Sequence, residues 1–121
     1  MMLQRRTPLA PRRKRKRMIK PERVVDLAHL ARVRRLPCVV CFLLGIRQAS
    51  PTEAHHIKRH LDGTKLGLGQ KSPDRHAIPL CRGTHHWNGV GVNMPMEEFE
   101  AICGDEIHLL GVTQAMLTRL A

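Results

Sequence analysis

Aromatic side chains are almost missing from this chain, with one tryptophan, two phenylalanines and no tyrosine in 121 residues. Recognition modules that stack several bases on the aromatic rings of a sheet need more than Phe42, Trp87 and Phe99 can supply. Long apolar runs are missing too. No segment approaches the ~18 consecutive apolar residues that a membrane helix needs, and the basic start is not followed by the apolar stretch of a secretory signal. Neither a membrane span nor export is therefore expected. Acidic residues are scarce at one end only. Residues 1–23 hold a single acid, Glu22, among ten basic side chains, which accounts for nine of the eleven net positive charges. The other 98 residues are nearly neutral.

What is there divides the chain in two. Residues 1–21 are interrupted by proline and carry an unbroken cationic run from Arg12 to Arg17. Self-repulsion predicts a disordered arm, and its natural partner is a polyanion, above all nucleic acid, whose counterions are released when lysine and arginine neutralise phosphates. Residues 22–121 form the expected folded domain, small enough for a metal staple to add usefully to its core. Four cysteines and eight histidines, with the Cys38-x-x-Cys41 pair among them, read as metal ligation in a reducing compartment rather than as disulfides.

Helix periodicity over 22–35 places Val24, Leu27, Ala28 and Ala31 on one stripe, widened by Leu30 and Val33, with Pro37 stopping the helix. His29 on that helix reads as a surface or packing residue rather than a ligand. Cys38 to Cys41 reads as a tight turn, and the β-prone runs 42–46 and 54–57 as a hairpin. Residues 58–75 read as a long mobile loop whose Lys58, Arg59, Lys65, Lys71 and Arg75 would suit a phosphate backbone. Ala77 to Leu80 is a further short strand, leading through Cys81 into a helix. Pro95 opens a helix, Glu97 and Glu98 suit its positive end, and Gly104 closes it. Two helical pieces, 105–110 and 113–120, are expected on either side of a break at Gly111. Cys103 reads as a buried apolar thiol.

The chemistry gathers around Ala77-Ile-Pro-Leu-Cys-Arg-Gly-Thr-His-His-Trp-Asn-Gly89. Cys81 and His85 can converge on one tetrahedral ion, and with Cys38 and Cys41 they make two ligand pairs, C-x2-C and C-x3-H, separated by 39 residues. Pairs of this kind clamp two distant turns around a structural zinc. His86 points about 100° away from His85 on a helix, so the two have different tasks. His55, His56, His76 and His86, with Asp74, then remain as a second set. Phosphodiester hydrolysis needs a base for water and a cation for the charge on the phosphate. Imidazoles supply the base, and two or three ligands can hold Mg²⁺, Mn²⁺ or Zn²⁺. Because a regular strand sends neighbours to opposite faces, His55 and His56 can share a site only where the strand gives way to the loop.

The order Cys-x-x-Cys, Ala-His-His-Ile, Ile-Pro-Leu-Cys and His-His resembles the HNH (ββα-metal) endonucleases, most nearly the phage recombination-enhancement, RecA-dependent nucleases. The resemblance runs from about Glu22 to about Gly104. It implies an α+β fold, a zinc-stapled ββα-metal, treble-clef-like domain with flanking helices. It also implies a metal-dependent DNA endonuclease of phage or prophage origin, acting in the bacterial cytoplasm, with a RecA filament as a possible partner. Residue by residue, it makes His56 the general base, and His55 and His86 ligands of a catalytic Mg²⁺ or Mn²⁺. Cys38, Cys41, Cys81 and His85 become the structural zinc set. The central HNH position falls on Asp74 or His76. The gap between Cys81 and His85 is one residue longer than usual, to be absorbed at Gly83 or by an exchange of roles between His85 and His86. The rival reading is a non-catalytic zinc protein that binds nucleic acid.

Overall fold

The computed structural model describes residues 25–67, 69–87, 90–91 and 93–119. The basic arm expected over 1–21 lies outside them. Helices α1 (Leu27–Arg34) and α2 (Val39–Leu44) come first, then strand β1 (Thr52–His56), strand β2 (Ala77–Cys81), a π-helical turn Arg82–Trp87, and helices α3 (Met96–Cys103) and α4 (Glu106–Arg119). The class is α+β with one two-stranded sheet. Among the described residues no helix is long and apolar enough to cross a membrane.

Helix α1 starts where the Asp26 carboxylate accepts the His29 amide N–H at 3.0 Å, an N-cap that satisfies one of the first free amides. Its buried side is Leu30 and Val33, continued by Leu36. This corrects the expected stripe, because Leu27 is 71% exposed, Ala28 and Ala31 are also exposed, and Val24 lies outside the described residues. Leu30, Val33 and Leu36 recur every three residues, and their larger apolar area, rather than that of two alanines, decides which face is buried.

The expected strand over 42–46 is instead mostly the helix α2. Cys38 stands at its N-cap position, and Gly45 ends it in the left-handed conformation (φ 65°), a cap that favours glycine. Val39, Val40 and Cys41 are buried while Phe42, Leu43, Leu44 and Ile46 are exposed, so the apolar run continues past the part that packs. The partner of β1 is therefore β2. The two pair antiparallel from Thr52↔Cys81 to His56↔Ala77, and the connection between them is the long loop 57–76. Gln48 binds α2 to β1: its Oε1 accepts the Cys38 N–H at 2.7 Å and its Nε2 donates to Thr52 Oγ1 at 2.8 Å.

Every residue of β2 is buried. Ile78, Leu80 and Cys81 pack with Val39, Val40, Ile57, Phe99, Cys103, Leu109 and Leu110 in the main core. Burial pushes the Cys103 thiol up to about 11, in keeping with an apolar packing role. A second cluster joins Val33 and Leu36 to Leu117. Helix α3 begins directly after Pro95 and ends at Gly104, as its punctuation indicates.

Helix α4 runs unbroken through Gly111. The penalty of an interior glycine, about 1 kcal/mol, is outweighed by Leu109, Leu110, Thr113 and Leu117, all buried on either side of it. A Cβ at Gly111 would meet nothing within 4 Å. Gly111→Ala should therefore stabilise the domain by about 0.4–1 kcal/mol, raising the thermal midpoint by a few degrees. A lowered midpoint would mean that the helix does break there.

Candidate functional site

Four ligand-bearing side chains meet where α2, the end of β2 and the π-helical turn come together. His85 Nδ1 lies 3.4 Å from Cys38 Sγ, 3.5 Å from Cys41 Sγ and 3.2 Å from Cys81 Sγ. Cys41 and Cys81 Sγ are 3.9 Å apart, and all four donor atoms lie within 4.8 Å of one another. A tetrahedral zinc with bonds of about 2.3 Å to sulfur and about 2.05 Å to nitrogen sets edges of about 3.8 Å between sulfurs and about 3.6 Å between sulfur and nitrogen. The donor spacing fits such an ion, as does the chemistry of three thiols and an imidazole. All four residues are buried and no cysteine is in a disulfide.

Burial, then the neighbouring Cys38, pushes the Cys41 thiol up to about 12, and burial raises Cys38 as well. At Cys81 burial is outweighed by backbone hydrogen bonds from His85 and Thr84, which hold the thiol below its ordinary value. Burial lowers His85, leaving a neutral ring with a lone pair to give. Three thiols this close cannot all ionise without a cation to neutralise them, so metal uptake and proton release are coupled.

The three residues between Cys81 and His85 lie in the π-helical turn, which is wider than an α turn. Gly83 sits against β1's approach, its N–H donating to Ser50 Oγ at 2.9 Å. His85 thus joins the thiols, and His86 turns away from them. No exchange of the two is needed.

His86 instead lines a cleft of about 390 Å³ on the other side of the turn, together with His55, His56, Lys58, Lys71 and Trp87. The two β1 histidines reach it from regular strand positions opposite Ile78 and Ala77, and the alternation of the strand shows in their partners. His56 Nε2 donates to Asp74 Oδ1 at 2.7 Å, whereas His55 Nε2 faces Glu106 Oε1 at 3.1 Å. Burial holds His55 below its ordinary value, which favours the neutral ring. His86 stands edge-on to His55, ring centres 5.4 Å apart, and tilted against Trp87 at 4.7 Å. Its Nδ1 faces Glu53 Oε1 at 3.5 Å without a formed hydrogen bond.

Asp74 is wholly buried; besides His56 it accepts the Asp26 N–H at 2.8 Å, joining the start of α1 to the cleft. His76 does not border the cleft. Burial, then Arg75, lowers it, and its carbonyl accepts the Ile57 N–H at 3.3 Å. Of Asp74 and His76, Asp74 is the one that touches His56. Among the described residues, the Cys38, Cys41, Cys81 and His85 group is the one set of three or more such side chains whose donor atoms converge. His55 and His86 share the cleft without a third ligand at that spacing.

The loop cations divide. The Arg59 guanidinium is held by Glu100 at 2.6 and 3.0 Å and Lys65 pairs with Glu97, so these two brace the loop against α3. Lys58 and Lys71 border the cleft. Two acids escaped the sequence reading. Glu53 precedes His55 by two strand positions, so the period of the strand could have placed it on the same face. Glu106 opens a helix far along the chain, with no local signal pointing at His55.

Comparison with known proteins brings no relative: no protein-family model, no curated protein and no solved structure matches the chain.

Proposed function

We propose that the chain is a metal-dependent DNA endonuclease of the ββα-metal type. The observation that carries this is that His55, His56 and His86 all border one cleft with Lys58 and Lys71, next to a Cys₃His cluster able to hold zinc. The order of strand, loop, strand and helical turn is compatible with the ββα-metal unit that the resemblance implies.

In this reading His56 takes a proton from the attacking water. Its Nε2–H donates to Asp74, so Nδ1 keeps the basic lone pair, and the buried carboxylate stabilises the imidazolium that forms. His55 and His86 would hold the Mg²⁺ or Mn²⁺, which when bound supplies positive charge to the scissile phosphate and the leaving 3′ oxygen. The products would be 5′-phosphate and 3′-hydroxyl ends, as the resemblance implies. Lys58, Lys71 and the basic arm would make sequence-tolerant phosphate contacts. DNA paired within a RecA filament is the substrate that the family resemblance adds.

The rival reading, a zinc protein that only binds nucleic acid, draws on the single converging ligand set. Metal stoichiometry separates the two. Equilibrium dialysis of the zinc-loaded chain against Mn²⁺ should show one retained zinc and one exchangeable Mn²⁺ per chain, the latter lost in His86→Ala. One zinc and no saturable Mn²⁺ would favour the binding protein.

A further inference from the structure

Glu106 is a buried carboxylate, 2% exposed, at the start of α4, lining a small cavity with Phe99 and Met94. Burying a charge there is costly unless its oxygens are engaged, and both are. Oε2 accepts the Lys58 N–H at 2.7 Å, fixing the backbone where β1 gives way to the loop. Oε1 faces His55 Nε2 at 3.1 Å, fixing the ring. A neutral imidazole has one N–H and one lone pair, and an ionised carboxylate only accepts. The pairing therefore puts the proton on Nε2 and leaves Nδ1 as the donor atom.

We infer that Glu106 is a positioning residue: it sets the tautomer and orientation of His55 so that Nδ1 is offered to a divalent cation in the histidine cleft. The inference rests on the nuclease reading of that cleft and deepens it. Histidines that ligate metals characteristically donate their other N–H to a carboxylate or carbonyl, and losing that partner weakens metal affinity by roughly 10- to 100-fold. Glu106→Gln keeps the size of the side chain and an oxygen for the Lys58 amide. Its amide N–H can then point at His55 Nε2, and it favours the tautomer that blocks Nδ1.

The test pairs long-range ¹H–¹⁵N NMR of the His55 ring with Mn²⁺ titration calorimetry, on the zinc-loaded full chain at neutral pH. The expected result is an Nε2–H tautomer in the parent protein and a shift toward Nδ1–H in Glu106→Gln. Mn²⁺ binding should be about 10- to 100-fold weaker in the variant, zinc content unchanged, and the Nε2–H tautomer regained in Glu106→Asp. An Nδ1–H or doubly protonated His55 in the parent protein overturns the inference by itself, even if the glutamine variant fails to fold. A tautomer shift with equal Mn²⁺ affinity in both proteins also overturns it, leaving Glu106 a structural clamp. If the parent takes up no Mn²⁺ at all, the nuclease reading has failed and takes the ligand role of His55 with it; that case is distinct because the tautomer is still read.

Discussion

Replacing Cys38 or Cys41 by serine is expected to unfold the domain at ordinary temperatures. The four donors draw together α2, the last residue of β2 and the turn after it, and Cys38, Cys41 and Cys81 are themselves part of the main core. Structural zinc contributes apparent binding free energies of about 10–16 kcal/mol in small peptides, while a whole domain is typically stable by about 5–15 kcal/mol. If zinc binding is lost with the ligand, the amount removed is comparable to the entire margin. Serine also leaves buried Cys81 and His85 beside an incomplete donor set. Circular dichroism melting with zinc analysis checks this: the variant should show no cooperative transition and well under one zinc per chain. A retained midpoint with full zinc content would refute a structural metal centre.

The largest effect on activity is expected from His56→Ala. General base catalysis contributes about 10²- to 10⁴-fold, and that loss should appear in single-turnover cleavage at saturating Mg²⁺. DNA affinity should be nearly unchanged, since in this reading the phosphate contacts come from Lys58, Lys71 and the basic arm. Asp74→Asn should cost less but in the same direction. An asparagine can still accept the Asp26 N–H, yet it cannot stabilise the charged His56 ring. If His56→Ala cleaved at the parent rate, the base would have to be sought elsewhere in the cleft.

The legible parts of the fold were those written in local chemistry. Cys38, Cys41, Cys81 and His85 could be grouped because zinc demands particular donor types at short spacings, although Cys38 and Cys41 come from the start of helix α2 rather than from the tight turn expected there. Helix α3 carries its own boundaries in Pro95 and Gly104. The apolar run from Ala77 to Leu80, a strand in the structure, also stands between clear turn signals. Where local signals are degenerate, the reading failed. A short apolar run such as 42–46 has no period long enough to separate helix from strand, so the expected hairpin of 42–46 with 54–57 gives way to the end of α2, and β1 pairs with β2 instead. The true pairing closes a long loop held by Arg59 and Glu100, a contact between distant elements that no spacing encodes. The stripe on α1 was misphased because alanines count as apolar in a pattern but bury little area. At Gly111, local propensity favoured a break and tertiary packing overrode it.

The candidate cleft divides in the same way. Its histidines stood out by type and order, whereas their carboxylate partners did not. Asp74 contacts His56 at 2.7 Å across 18 positions of sequence, a partnership that no spacing announces. Glu106 meets His55 only because α4 packs against the buried sheet. Orientation of a ring by a distant carboxylate is a tertiary property.

The most direct test of the account is cleavage of single-stranded, duplex and RecA-coated plasmid DNA by the zinc-loaded full chain with Mg²⁺ or Mn²⁺, beside His56→Ala. The account predicts metal-dependent cutting of at least one of these substrates, abolished in the variant while binding persists. If neither protein cuts any of them and both bind equally well, the chain is not a nuclease, and the zinc-containing binding protein takes its place.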